Sequence, residues 1–331
     1  MTDRPHTLPA WDHPVLRSVV PVVEAAEHVE INLDSIDTVA QWLAYEDFSV
    51  PPSGPQFDVG LAGDRLVDWT MLTASLNFAY TDFTTAERFD SRYRGQAWAD
   101  AEAMYAGFSR ALDEGIDVLD GAWMAQVGRA ELARILDGTI EIPMLDERVV
   151  ILNEIGATLV GRYGGAFHRF VQSCAPAAYA DGDGLLERLV VEFPRFNDVS
   201  DYRGHAVAFH KLAQLGLWSL HRTGAAVLDD IGALTAFADY IVPVALRVMG
   251  ILEYSPELAE TIDARVIIPR DSHHEIEIRA ATLWATADLT EAVNANRADS
   301  MQLVIPEIDY RLWKAYHASF APHHLTPTTM Y

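Results

Sequence analysis

Apolar residues spaced three and four apart run through most of this chain, and that spacing commits it to helices. The clearest case lies in FPRFNDVSDYRGHAVAFHKLAQLGLWSLH, residues 193 to 221. There Tyr202, Ala206, Phe209, Ala213 and Leu217 form one stripe of an amphipathic helix; Gly204, Val207, Lys211 and Gln214 form a neighbouring one. Asp198 and Asp201 fall where such a helix begins. Carboxylates at that end are favoured by unpaired amides and the helix dipole. The pair therefore reads either as ordinary caps or as site acids kept ionised.

The same periodicity predicts helices from His13 through the following Val-rich run, at Ser35 to Glu46 with Ser35 as N-cap, and at 96 to 113 with Gly115 just beyond. Others are expected at 129 to 137, 144 to 162, 226 to 250, 256 to 263, 274 to 296 and 307 to 317. SVPPSGPQFD, 49 to 58, and YADGDG, 179 to 184, read as loops. Alternating runs are few; VEINL and ARVII are the best strand candidates. No internal repeat or low-complexity linker is visible. The expectation is a mostly α, compact multi-helix fold in one unit over 1–331, with residues 1–34 as an arm and first helix and 35–331 as the helical body that holds the site.

Charge narrows the function. A net charge of −24 repels a phosphate backbone, so a protein that wraps DNA or RNA is not expected, although a local basic pocket can still hold one small phosphate. The single cysteine, Cys174, excludes an internal disulfide and a Cys-rich zinc site. The polar, proline-broken start is unlike a signal peptide, and no apolar run is long enough to span a bilayer. A soluble cytoplasmic protein is expected.

Familiar catalytic patterns are missing. On a helix His205 and His210 would point about 140° apart. His273-His274 and His323-His324 are adjacent pairs, and no HExxH occurs, so no metal is expected. GxSxG, the P-loop and the dinucleotide fingerprint are also absent. What remains is a set of polar groups inside apolar stretches: Asn77-Phe78, Tyr80, the Asp198 and Asp201 pair, Asp239-Tyr240 and EIEIR at 275 to 279. Buried charge is costly unless paired or used, so the set marks either a site or an internal salt-bridge network. Glu275 and Arg279, four apart, suit an ordinary helix pair. Asp239 has wholly apolar flanks.

Several segments together resemble the queuosine salvage protein family, the queuosine 5′-phosphate N-glycosylases. They are HPVLRSV, LNF within LNFAYTDF, RALDEGI, IPMLDERVVILNEIGATLVGRYGG, FPRFNDVSDYRG, FHKLAQ, FADYIVPVALRVMGILEYS, EIEIRAATLW, IDYRLW and PHHLTPTTMY. The resemblance implies a helical fold similar to base-excision DNA glycosylases. It also implies hydrolysis of queuosine 5′-monophosphate to queuine and ribose 5-phosphate, with no cofactor and no metal. A non-catalytic queuine- or queuosine-binding protein is the alternative. A polynucleotide glycosylase is disfavoured by the acidity.

Loss of the base builds positive charge on C1′, which a fixed carboxylate stabilises. A 7-deazapurine has no N7 to protonate, so more weight falls on that carboxylate. On this resemblance Asp198 is expected as the sugar-side acid and Asp201 as its partner or water-orienting group. Asp239 is expected on the base side, Phe78, Tyr80 and Tyr240 as stacking rings, and Asn77 as a hydrogen-bonding group. Gly204 and Gln214 are expected to wall the pocket, and Lys211, Arg203 and His324 to meet the 5′-phosphate. The chain departs from the family pattern at Ala79-Tyr80-Thr81, at Leu212, and at Leu325 and Pro327, which stand where Arg is common. The last two shift the phosphate expectation from the tail toward Lys211 or Arg203.

Overall fold

A computed structural model describes residues 13–48, 55–316 and 321–331. The expected arm, residues 1–12, and the start of the 49–58 loop lie outside these. Among the described residues are fourteen α-helices and three two-stranded hairpins or ladders, so the chain is mostly α. In order they are α1 (Pro14–Ala25), β1 (Val29–Ile31), α2 (Leu33–Leu43), α3 (Asp64–Ser75), β2 (Asp90–Tyr93), β3 (Gln96–Ala99) and α4 (Ala101–Asp113). Then come α5 (Gly121–Met124), α6 (Arg129–Ile135), α7 (Leu145–Arg162), α8 (Phe167–Gln172), α9 (Leu185–Glu192), β4 (Val199–Tyr202), β5 (His205–Ala208) and α10 (Lys211–Thr223). The last are α11 (Val242–Val248), β6 (Leu252–Tyr254), α12 (Pro256–Asp263), α13 (His273–Asn294) and α14 (Ile305–Tyr316). None of the described helices is long and apolar enough to cross a membrane.

Three expectations fail, each for a local reason. Residues 198 to 210 are not the first turns of a helix: they form the β4–β5 hairpin, and the helix begins only at Lys211. Tyr202 pairs with His205, which leaves Arg203-Gly204 as a two-residue loop with φ of +53° and +83°. Positive φ at both central residues is the type I′ turn that matches strand twist, and it overrides the helical spacing of Tyr202, Ala206 and Phe209. The helix expected over 96 to 113 starts late for the same reason, because Arg94-Gly95 (φ +49° and +79°) closes a β2–β3 hairpin.

These two hairpins also overturn the expectation of no repeat. Ser91, Tyr93, Arg94, Gly95, Ala97 and Ala99 recur as Ser200, Tyr202, Arg203, Gly204, Ala206 and Ala208 in the same register. Each hairpin is followed directly by a helix of 13 residues, α4 or α10. In the third case, the helix expected over 226 to 250 shrinks to α11, with Pro243 in its first turn where a missing N–H costs nothing. VEINL does become a strand, β1, paired antiparallel with β6; ARVII contributes only an Ile267–Leu325 bridge. At α2 the cap is Asn32, whose side chain accepts from the Ser35 amide at 3.0 Å, in place of Ser35.

The apolar faces bury into three clusters. The largest joins α3, α4, α7, α9 and α10; the second joins α2, α11, α13 and α14; the third packs α1 and Tyr202, Val207 and Phe209 against α13. Helix α13 is buried all round, as expected of a helix with no polar face to spare, yet it carries Glu275, Glu277 and Arg279. The segment between α10 and α11 threads through all three clusters. Leu234 and Phe237 belong to the first, Ala236 and Ala238 to the third, and Val242 to the second.

Candidate functional site

That segment, Thr235 to Ile241, has no helix or sheet to satisfy its backbone, so side chains from three helices do so. From α10, Gln214 accepts the Thr235 amide at 2.7 Å and donates to the Thr235 hydroxyl at 2.8 Å. From α14, Asp309 accepts the Phe237 amide at 2.8 Å. From α13, Arg279 Nε donates to the Ala238 carbonyl at 3.0 Å. The Asp239 amide closes a tight turn onto Phe237 O, and Asp239 Oδ1 accepts the Ile241 and Val242 amides at 2.8 and 2.9 Å. Among the described residues no hydrogen bond reaches Asp239 Oδ2. One carboxylate oxygen is therefore locked and the other is open.

Lys211, first residue of α10, faces this carboxylate. Its ammonium donates to the Asn77 carbonyl at 3.2 Å. Burial draws it down to about 8, opposed by the charges of Asp239 and Asp309. Burial pushes Asp239 above the usual aspartate range, opposed by Lys211 and the two amides. Asp309 is pushed well above that range, by burial first and by Asp239 next; Lys211 and the Phe237 amide only partly offset this. Two acids and one lysine thus share a dry compartment.

A second buried network lies beside it. Asp198 and Arg279 are 1% and 0% exposed and form a two-point pair, with Arg279 Nη1 donating to Asp198 Oδ1 at 3.1 Å and Nη2 to Oδ2. Burial alone raises the Asp198 carboxyl, but the Arg279 charge and hydrogen bonds outweigh it, leaving Asp198 below its ordinary value. Glu275 is 3.4 Å from the same guanidinium and is pushed up by burial. The guanidinium is sandwiched between the Phe209 and Tyr331 rings, 3.9 and 4.3 Å from their centroids. Phe78 is gripped in the same way by Arg148 and Arg195, at 4.1 and 4.8 Å. Arg148 donates to the Leu76, Phe78, Ala79 and Pro143 carbonyls, and Arg195 to those of Ser75 and Thr329. Arg148 thereby holds Ala79 in a left-handed conformation (φ +45°) and sets the course of the loop that offers Asn77 O to Lys211.

A cleft opens next to Asp239, lined by Tyr80, Phe83, Tyr240, His323, His324 and Tyr331 among others. Tyr240 and His323 meet there at a tilt of 36°, 4.7 Å between centroids. Burial leaves His324 neutral, drawn down to about 3, with its Nε2 at 3.2 Å from the Tyr331 hydroxyl.

The expected site residues divide accordingly. Asn77, Tyr80, Lys211, Asp239, Tyr240 and His324 converge on the cleft and the acids behind it. Asp198 lies in the adjacent network, both oxygens taken by Arg279. Gln214 is fully buried and engaged with Thr235, and Phe78 is enclosed by its two arginines. Three do not converge. Asp201 is exposed on the outer face of the hairpin and accepts the Gly204 amide at 3.1 Å. Gly204 occupies the turn, and Arg203 pairs on the surface with Glu27 at 2.6 Å. The helical reading of 198 to 210 had put Gly204 on one stripe with Lys211; the hairpin turns it, Asp201 and Arg203 outward. Asp309 and Tyr331 were not singled out, Arg279 was read only as half of a helix pair with Glu275, and His323 only as a poor metal ligand. Asp309 was detectable as an acid beside Ile308 and Leu312 on the buried stripe of α14.

The chain matches the queuosine salvage protein family over residues 59–331 and belongs to that family. It is 33% identical over 324 residues to a Sphaerobacter thermophilus protein named queuosine 5′-phosphate N-glycosylase/hydrolase, covering 96% of this chain and 97% of that one. Proteins of the same name from Mus musculus (30% identical, 83% and 80% covered) and Schizosaccharomyces pombe (29%, 86% of each) are also similar.

Proposed function

We propose that this protein hydrolyses the N-glycosidic bond of queuosine 5′-monophosphate, releasing queuine and ribose 5-phosphate, and that Asp239 is the carboxylate facing C1′. The observation that carries the assignment is the half-open Asp239 carboxylate: Oδ1 fixed by two amides, Oδ2 unengaged, beside a cleft walled by Tyr80, Tyr240 and His323. A group aimed where charge develops, and rigid before the reaction, stabilises a transition state without reorganising. Asp198 fits that role less well, because a carboxylate with both oxygens on a buried guanidinium has nothing left to offer C1′. Its part is to neutralise Arg279, which in turn anchors the Ala238 carbonyl next to Asp239.

In the proposed step the C1′–N bond breaks and its electron pair leaves with the base. Water oxygen bonds C1′ and gives one proton to Asp239, the departing base takes one from solvent, and Asp239 afterwards releases its own to solvent, so the proton count balances. Asp239 faces the cationic ribose and receives the proton from water; Lys211 keeps it ionised. Tyr80 and Tyr240 supply apolar faces for the base. Of the cations expected at the phosphate, Lys211 alone combines charge with a place at the site, since His324 is neutral and Arg203 is committed to Glu27. We further propose that the reaction needs no metal, supported by the absence, among the described residues, of any three His, Cys, Asp or Glu side chains that converge. A cytoplasmic setting and a single structural unit complete the reading, the latter supported by a site drawn from Asn77 through Tyr331.

The test is queuine release from queuosine 5′-phosphate in the presence of EDTA, by wild type and Asp239→Asn. Wild type is expected to turn over undiminished by the chelator, and the variant to lose about 100-fold or more in kcat, the scale of one preorganised electrostatic group. Tight binding without release by wild type would establish the sequestering alternative instead.

A further inference from the structure

Asp309 has no part in the step above, yet it is 3% exposed and its carboxyl feels the charges of the two residues that do. We propose that Asp309 is a positioning residue for the cleavage reaction: reaching in from α14, it holds the Phe237 amide and so fixes the turn that presents Asp239 beside the cleft. The proposal rests on the function and the Asp239 role given above.

The geometry is specific. Asp309 Oδ1 takes the Phe237 amide at 2.8 Å, and the Phe237 carbonyl takes the Asp239 amide, so a single residue, Phe237, links the two acids. The neighbouring Ala238 carbonyl is held from α13 by Arg279, and Thr235 from α10 by Gln214. Asp309 is thus one of three clamps on a loop that no regular structure supports, and the only one of them that is a carboxyl. Its charge state follows from its neighbours. The titratable and charged groups facing it are Asp239 from the loop before α11 and Lys211 from α10. One ammonium cannot compensate two carboxylates in a dry compartment, so one acid keeps its proton. Asp239 accepts two amides and Asp309 one, which leaves the charge with Asp239. A neutral Asp309 still accepts the Phe237 amide, and it does not compete with Asp239 for Lys211. An ionised Asp309 would divide the field of Lys211 and push Asp239 toward protonation, which would disarm it.

Asp309→Asn is the discriminating variant, because an amide carbonyl copies the acceptor and the neutrality of the protonated acid. With queuosine 5′-phosphate as substrate, it is expected to retain kcat within about threefold and an unshifted pH profile of kcat/KM, whereas Asp309→Ala loses about tenfold or more in kcat with KM nearly constant. Loss of activity in Asp309→Asn comparable to that in Asp239→Asn would overturn the proposal, as would a fully active Asp309→Ala. If Asp309→Ala does not fold, the pH profile of Asp309→Asn decides: overlay with wild type supports the neutral carboxyl, and a downward shift of either limb by more than about half a unit refutes it. An infrared difference spectrum, wild type minus Asp309→Asn without substrate, should show a protonated-carboxyl band. Its absence refutes the proposal even if wild type releases no queuine, so failure of the functional reading and failure of this one are told apart.

Discussion

Replacing Asp198 by Asn separates a catalytic acid from a structural one. The substitution keeps size and shape and removes only the charge that pairs with Arg279. Both partners are buried, at 1% and 0% exposure, and Glu275 at 3.4 Å is a poor substitute because burial already pushes it toward the neutral form. Stripping one partner from a buried pair leaves the other uncompensated, at a cost of about 3–5 kcal/mol. Unfolding entropy of about 2 cal/mol/K per residue amounts to roughly 0.7 kcal/mol/K for a chain of this length, so Tm should fall by about 4–7 °C. Activity should fall too, by about tenfold, because the same guanidinium anchors Ala238 O. Removing both charges in Asp198→Asn/Arg279→Met should restore part of the stability, with a coupling of about 1–3 kcal/mol between the sites. The pH dependence has a defined sign. The Asp198 carboxyl lies below its ordinary value in the fold, so its contribution is full above about pH 5 and is lost as pH falls through and below about 4. Melts of wild type and variant should therefore converge in acid. The decisive measurement sets circular-dichroism melting beside kcat on the same samples. A variant with unchanged Tm and turnover reduced by about a thousandfold would refute this account and make Asp198 the chemical acid.

Lys211 predicts opposite trends for activity and stability. Its ammonium, drawn down to about 8 by burial, must be charged to keep Asp239 ionised, so kcat/KM should decline as pH rises through about 8. Over about pH 8 to 10 the unfolded chain binds the extra proton, so folding stability should gain from Lys211 over the same range; Lys211→Met should remove both effects. Arg148→Met leaves three buried carbonyls of the 76–79 loop without their donor, at about 1–3 kcal/mol each, and frees Ala79 from its left-handed conformation. A lower Tm with a weakened response of kcat/KM to Lys211→Met would show that the loop no longer presents Asn77 O; an unaltered Tm would refute the role.

What could be read in the sequence was what depends on local pattern. Helices α2, α6, α7, α12, α13 and α14 fall within a few residues of where apolar spacing puts them. Asn77, Tyr80, Lys211 and Asp239 stood out as polar groups in apolar surroundings, and they converge. What could not be read depends on contacts far along the chain. Tyr202, Ala206 and Phe209 fit a helical stripe as well as alternate positions of a hairpin; only the Arg-Gly turn distinguishes the two, and it occurs twice. Asp198 looked like a helix-start acid. It does lie near a helix start, 3.5 Å from the Lys211 amide, but across a hairpin and held by an arginine 81 positions away. The irregular course of 225 to 241 is likewise specified from outside, by Gln214, Arg279 and Asp309, none of which is a local neighbour.

The electrostatics of the site reconcile a very acidic protein with an anionic substrate. A surface carrying most of a −24 net charge opposes any phosphate at long range, but in physiological salt that field decays over about 8 Å. Inside, Arg148, Arg195, Arg279 and Lys211 are all nine-tenths or more buried around the cleft and the acids behind it. Against these four cations stand Asp198, held ionised by Arg279, and Asp239, ionised on the proposed function; burial pushes Glu275 and Asp309 toward their neutral forms. Beside the cleft these cations outnumber those two acids, in surroundings where charge is weakly screened. A mononucleotide can place its one phosphate within reach of that interior. A polynucleotide would leave its flanking phosphates over the acidic surface, each of them repelled. On the proposed function, this charge distribution favours a single nucleotide over a polynucleotide before any contact with the base is made.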